Sequence, residues 1–263
     1  MRINISDVSA SSESIEKWCA VQDELDIKVN GENYKTSGKC EATEKPIRVY
    51  NAILSELNEV LDSRDWKHWK KGSNDDDNLL LELVDLMHFI PLGINLINLD
   101  TRRLFMHMER EEVSNVMHRY QKEIDLLPTL DRQLEWFTMN ILTYIASANS
   151  TIDPQSYERK MVLYVSSIMM VVDMYGRVSG INDFDTIMQN MWKKYILKNA
   201  LNVVRGNNGY KEGTYIKIWN GVEDNEVVLS TLLDNAYGCV EDAVVDVQAL
   251  YNKESGIQDE DDA

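Results

Sequence analysis

Apolar residues recur at three- and four-residue spacing along most of this chain, and that period predicts helices. Over 14–29, Ile15, Trp18, Cys19, Gln22, Leu25 and Val29 share one helical spacing. A polar stretch, 30–45, reads as a loop. Pro46 suits a first helical turn, where its missing N–H has no partner to lose, and Ile47, Tyr50, Leu54, Leu57 and Leu61 continue a stripe from there. The segment 72–78, with three consecutive Asp residues, reads as a loop. It lacks the alternating ligands and central Gly of a calcium-binding EF-hand. Residues 79–90 are apolar nearly all round and predict a buried helix ending near Pro91.

Amphipathic patterns over 102–148 and 157–175 predict further helices, with breaks at 149–154 and 176–183. Another helix is expected over 187–204, then a loop rich in Gly, Asn and Tyr, then a helical 226–251 broken at Gly238. The fold class is therefore all-α, a helical bundle. Residues 1–252 read as one domain, with 253–263 an acidic tail expected to be disordered because it has no core residues.

Composition agrees. Four prolines and twelve methionines in 263 residues favour helices over strands. The longest apolar stretch, 79–99, is interrupted by Glu82, Asp85, His88 and Pro91, so no membrane span is expected. Cys19, Cys40 and Cys239 form no C-x-x-C pair, which argues against a zinc site or disulfide framework and fits a cytoplasmic location.

Charge changes the picture. A net charge of −17 excludes general binding to duplex nucleic acid. Yet the window 193–217 holds Lys193, Lys194, Lys198, Arg205, Lys211 and Lys217 against the single acid Glu212. It therefore carries +5, and the rest of the chain −22. Such an island suits a small polyanion, or is simply a solvated face and loop.

Two acidic pairs carry the candidate chemistry. Glu56 and Glu59 are three residues apart on the second helix, within about 60° around its axis. Glu82 and Asp85 repeat the spacing among Leu80, Leu81, Leu83, Val84, Leu86 and Met87. Carboxylates in apolar surroundings need a positive partner, and no Lys or Arg lies within a helical turn. A divalent cation shared by all four acids answers that need, Mg²⁺ or in its place Mn²⁺ by the preference for hard oxygen ligands. A buried ion pair with a distant basic residue, Arg48 or one later in the chain, is the alternative. A di-iron carboxylate bundle would use Glu-x-x-His, and none of the four histidines follows a Glu at that spacing.

The order of these pieces resembles the dimeric dUTPases, within the MazG-like superfamily of all-α NTP pyrophosphatases. The resemblance is carried by Glu56-Leu-Asn-Glu59, Trp66-Lys-His-Trp-Lys70, Glu82-Leu-Val-Asp85-Leu-Met-His-Phe89, and a third block from Lys198 through Asn202 and Arg205 to Asn225. It covers 22–89 and 193–226, and 95–175 matches only in being helical, as that family's mobile lobe is.

The resemblance implies a rigid metal-binding part at about 13–95 and 186–252, an additional, more mobile helical lobe at about 96–185, and a homodimer. It implies Mg²⁺ on Glu56, Glu59, Glu82 and Asp85. Hydrolysis also needs one carboxylate to take the proton of the attacking water, and Glu56 is assigned that role although spacing does not rank the four. It assigns Lys198, Asn202, Arg205, Tyr210 and Lys217 to the phosphates, Arg205 as a bidentate clamp. It places Trp66 and Phe89 at base and sugar, His88 beside the sugar, Lys67 and Lys70 among the substrate contacts, and Gln22 with Asp26 at the base edge. The implied reaction converts dUTP, with dUDP a further substrate, to dUMP in the cytoplasm, including a host's if the gene is a phage's. Where the family motif has Asn, this chain has Asp26. An ionised Asp accepts but cannot donate, which leaves a dCTP pyrophosphatase as the runner-up. A catalytically silent regulatory homologue is the third reading, opposed by the retention of all four acids.

Overall fold

Helix α3 (Asp76–Leu96) explains the architecture, because four helices pack around it. These are α1 (Ser12–Asn30), α2 (Glu44–Asp62), α6 (Tyr157–Ser179) and α7 (Phe184–Asn207). The computed structural model describes residues 12–30, 44–67, 69, 72, 74–97, 99–100, 111–150 and 157–255. Among these, nine helices and one two-stranded hairpin make an all-α fold. Helices α4 (Glu111–Ile124) and α5 (Leu130–Ser150) pack on α6, and α5 also reaches α2. Helices α8 (Asp224–Leu232) and α9 (Val240–Glu254) close the other side against α7. Cys40, Lys70 and residues 256–263 of the expected tail lie outside the described residues.

Several boundaries differ from the sequence expectation, each for a physical reason. The Asp run is the start of α3, and the loop before it is shorter than expected. Asp75 is the N-cap, its carboxylate accepting from the Asn78 N–H at 2.9 Å, and Asp76 and Asp77 occupy the first turn, where the helix dipole favours negative charge. At the other end α3 continues through Pro91 to Leu96. A mid-helix proline costs about 3 kcal/mol, and burial of Ile90, Ile94 and Leu96 on the flanking turns offsets it. Gly93 lets α6 approach there, since a Cβ would stand 2.8 Å from the Tyr164 hydroxyl oxygen.

The stretch after α7, expected as a loop only, also forms a hairpin. Ile218 pairs with Glu223 and Trp219 with Val222 across Asn220-Gly221, both at positive φ (50° and 89°). Asn-Gly is the strongest short hairpin signal in a sequence, so this element was legible. Trp219 is fully buried, 5.6 Å from the Tyr251 ring on α9. The break expected at Gly238 is present and spans 233–239, and α9 runs to Glu254, past the expected start of the tail.

Helices α3 and α6 are long and apolar enough to cross a membrane, but 78% and 67% of their apolar windows are buried in this core. Trp18 on α1 meets Trp192 and Tyr195 on α7 edge-on, at 5.2 and 5.4 Å. The Asn95 side-chain amide donates to the Cys19 carbonyl at 2.8 Å, tying α3 to α1. These contacts hold α1, α3 and α7 together around the site.

Candidate active site

The site is built where the acidic turns of α2 and α3 face a polar stripe of α7. Packing of α2 along α3 brings Glu56, Glu59 and Glu82 together, and each offers an oxygen within 4.8 Å of the other two. Glu82 is buried, and its Oε2 has no hydrogen-bond partner among the described residues. Burial first, then repulsion from Asp85 and the other acids, pushes Glu56 up to about 8 and Glu82 up to about 7, against the opposing charge of Lys198. An all-carboxylate trio with a buried orphan oxygen and too little positive charge fits a hard divalent cation. Glu56, Glu59 and Glu82 could hold one.

The fourth acid takes a different partner. Asp85 Oδ2 accepts from Lys198 Nζ at 2.7 Å, with both side chains largely buried. The distant basic partner that the sequence left open is thus Lys198 on α7 for Asp85, whereas Arg48 is exposed on α2. The pair needs no helical-turn neighbour because it bridges two helices.

Beside Asp85 a cavity of about 260 Å³ opens between α1, α3 and α7. Leu25, Val29, Phe89 and Leu92 supply apolar walls, and Gln22, Asp26, His88, Asn202, Arg205, Tyr210 and Lys211 the polar lining. The structure therefore brings Gln22, Asp26, His88, Phe89, Asn202, Arg205 and Tyr210 to one cavity, though they come from segments far apart in the chain. Lys198 stands one turn before Asn202 on α7, facing the acids.

His88 links the cavity to the acids. Its Nδ1 lies 3.2 Å from the Val84 carbonyl and 3.8 Å from Asp85 Oδ1, and its ring lies 4.3 Å from that of Tyr195. Burial lowers its pKa to about 4, so the ring is neutral. With Nδ1 donating to Val84, Nε2 is left as an acceptor, buried and without a partner among the described residues. On α1, the Tyr195 hydroxyl donates to Gln22 Oε1 at 2.9 Å, and Gln22 Nε2 donates to Asp26 Oδ1 at 3.3 Å.

Arg205 departs from the expected clamp. Its Nε and Nη2 form a bidentate pair with fully buried Asp224, at 2.8 and 2.7 Å, so the fork is already engaged. Asp224 also accepts from the Tyr215 hydroxyl at 2.9 Å and from the Asn225 N–H at 2.8 Å. Nη1 lies 3.3 Å from Asn202 Oδ1, and the guanidinium sits 5.7 Å from the centre of the Tyr210 ring. The island of positive charge is correspondingly smaller than its sequence suggests. Lys198 pairs with Asp85, Arg205 with Asp224 and Lys217 with Glu223, while Lys211 donates to the Val29 carbonyl at 2.6 Å.

Four expected contacts lie off the cavity lining, among them Lys198, which pairs with Asp85. Trp66 Nε1 donates to Asp62 Oδ1 at 3.0 Å, Lys67 donates to the same carboxylate, and Lys217 is half-exposed on the hairpin. Sequence reasoning missed Asp224, the residue that positions Arg205. Its signal was its place near the end of the third block, one residue before Asn225. Residues 14–210, three quarters of the chain, match the protein family described as dUTPase. No curated protein matches the chain.

Proposed function

Since the chain belongs to the dUTPase family, we propose that it hydrolyses dUTP to dUMP and pyrophosphate with Mg²⁺, and dUDP as a second substrate. The observation that carries this reading is the under-neutralised trio Glu56, Glu59 and Glu82, one ion pair away from a cavity with flat apolar walls and a buried polar edge. When bound, Mg²⁺ would offset phosphate charge and make water more acidic.

The chain's own groups divide the remaining work. Glu56, Glu59 and Glu82 hold the ion, joined by Asp85 through the oxygen that Lys198 leaves open. Glu56 is the base that takes the proton from the attacking water, its carboxylate kept ionised by the neighbouring ion. Phe89 and its apolar neighbours flank the base and exclude water. His88 Nε2 accepts from a sugar hydroxyl. Arg205, held rigid by Asp224, offers its Nη1 edge and Asn202 its amide to the phosphates. The homodimer belongs to the same proposal and rests on the family, while the cytoplasmic location rests on the scattered cysteines alone. Sedimentation equilibrium reads the first.

The test is pyrophosphate release from each deoxynucleoside triphosphate in turn, with Mg²⁺ and with excess chelator. dUTP is expected to be the best substrate, with no turnover in chelator. Glu82→Gln is expected to lose about a thousandfold or more in kcat, because a misplaced ion misplaces the reacting water. Full turnover in chelator, or none with any nucleotide, would refute the proposal.

A further inference from the structure

We propose that Asp26 selects the base by its own protonation state, donating to uracil as the neutral acid and accepting from cytosine as the carboxylate, so that the preferred nucleotide changes with pH. This rests on the nucleotide reading above and deepens it.

The geometry assigns each oxygen of Asp26 a role. Because the Tyr195 hydroxyl donates to Gln22 Oε1 at 2.9 Å, the amide is turned so that Nε2 faces Asp26 Oδ1, at 3.3 Å. An oxygen that accepts that N–H does not carry the acid proton, so the proton resides on Oδ2. Oδ2 is buried and has no partner among the described residues, although Asp26 lines the cavity. One atom is therefore a donor in one state and an acceptor in the other.

The surroundings leave both states within reach. On α1, Asp23 opposes a second negative charge. From α3 comes His88, which is neutral. From α7 come the Tyr195 hydroxyl and Arg205, whose fork is engaged by Asp224. Lys211 lines the same cavity with its ammonium on the Val29 carbonyl. Burial is the largest influence and raises Asp26 to about 7, with the Gln22 bond opposing and Asp23 adding. Among the described residues no cation fixes the charge.

Uracil and cytosine differ at two ring positions: N3 is a donor in uracil and an acceptor in cytosine, and the exocyclic group at position 4 is a carbonyl acceptor in uracil and an amino donor in cytosine. Of these two positions, the exocyclic group at position 4 projects farther from the ring and so reaches farther toward a recessed oxygen. The apolar walls, Leu25, Val29, Phe89 and Leu92, treat the two rings alike. Discrimination then falls to Oδ2, and a mismatched pair there leaves two buried polar groups unpaired.

Binding of dUMP and dCMP to the full chain with Mg²⁺, measured calorimetrically at about pH 5.5 and about pH 8.5, tests this without requiring turnover. The ratio of the two Kd values cancels effects common to both nucleotides, including titration of the carboxylate trio. The preference for dUMP over dCMP is expected to fall about tenfold or more from the lower to the higher pH. At the higher pH, dUMP binding should take up a proton, read from two buffers of different ionisation enthalpy. Asp26→Asn, an isosteric change, should hold the uracil preference at both pH values without proton uptake. A ratio constant within about threefold, a ratio moving the other way, unchanged pH dependence in Asp26→Asn, or no binding of either nucleotide overturns the proposal. Pyrophosphate release assayed in parallel separates the two readings. A pH-dependent binding ratio without hydrolysis refutes the pyrophosphatase reading alone, and hydrolysis with a constant ratio refutes the role of Asp26 alone.

Discussion

Lys198 Nζ meets Asp85 Oδ2 at 2.7 Å, and this ion pair joins the basic stripe of α7 to the acidic face of α3. Among the described residues, Lys198 is also the cation that acts against the raised proton affinities of Glu56 and Glu82. It is thus both a fastener between helices and part of the site's charge balance.

Removing one member of a buried pair strands the other. Lys198→Met is expected to destabilise the protein by about 3–5 kcal/mol without Mg²⁺. The double variant Lys198→Met with Asp85→Asn should recover much of that loss. Urea denaturation of the four-protein cycle measures the coupling, and additive effects would show that the pair contributes no stability of its own.

The acids also give metal-free protein a distinctive pH dependence. Glu56 and Glu82 bind protons more tightly in the fold than in an open chain, at about 8 and about 7, so the folded state holds more protons across that interval. Their contribution to stability is fully present below the ordinary carboxylate range and is lost as pH rises through about 7 and then about 8. Asp26, raised to about 7, acts with the same sign. Thermal melts in chelator should therefore show the melting temperature falling as pH rises over that window. Excess Mg²⁺ should stabilise the protein most at its alkaline end, where the acids are ionised. A metal-free melting temperature that climbs over the same interval would contradict this account.

Arg205 cannot be examined by truncation alone, because Asp224 is fully buried and depends on it. Arg205→Ala is expected to cost about 3–5 kcal/mol in stability, which confounds any loss of activity. Arg205→Lys keeps the charge and gives up the two-pronged geometry, so it should fold with a smaller loss. Its kcat/KM should still fall by about tenfold to a hundredfold, the cost of a misdirected charge-assisted contact. Melting curves beside steady-state kinetics distinguish the two effects, and unchanged kinetics in a folded Arg205→Lys would remove Arg205 from the phosphate site.

What the sequence determined by itself is local or periodic. The three- and four-residue recurrence of Leu54, Leu57 and Leu61 specifies a helix because the period belongs to the backbone, and Glu56–Glu59 and Glu82–Asp85 each share a face for the same reason. The Asn220-Gly221 turn was also legible, since its backbone conformation is a property of those two residues. Only the tertiary structure decided that Asp85 pairs with Lys198, that Asp224 takes up the fork of Arg205, and that α3 runs on through Pro91. It also decided that Asp26, which the resemblance places at the base edge, is 4% exposed, with burial raising its proton affinity to about 7. Ion pairs between helices and the desolvation of a carboxylate depend on what folding brings alongside, and no spacing along the chain carries that information.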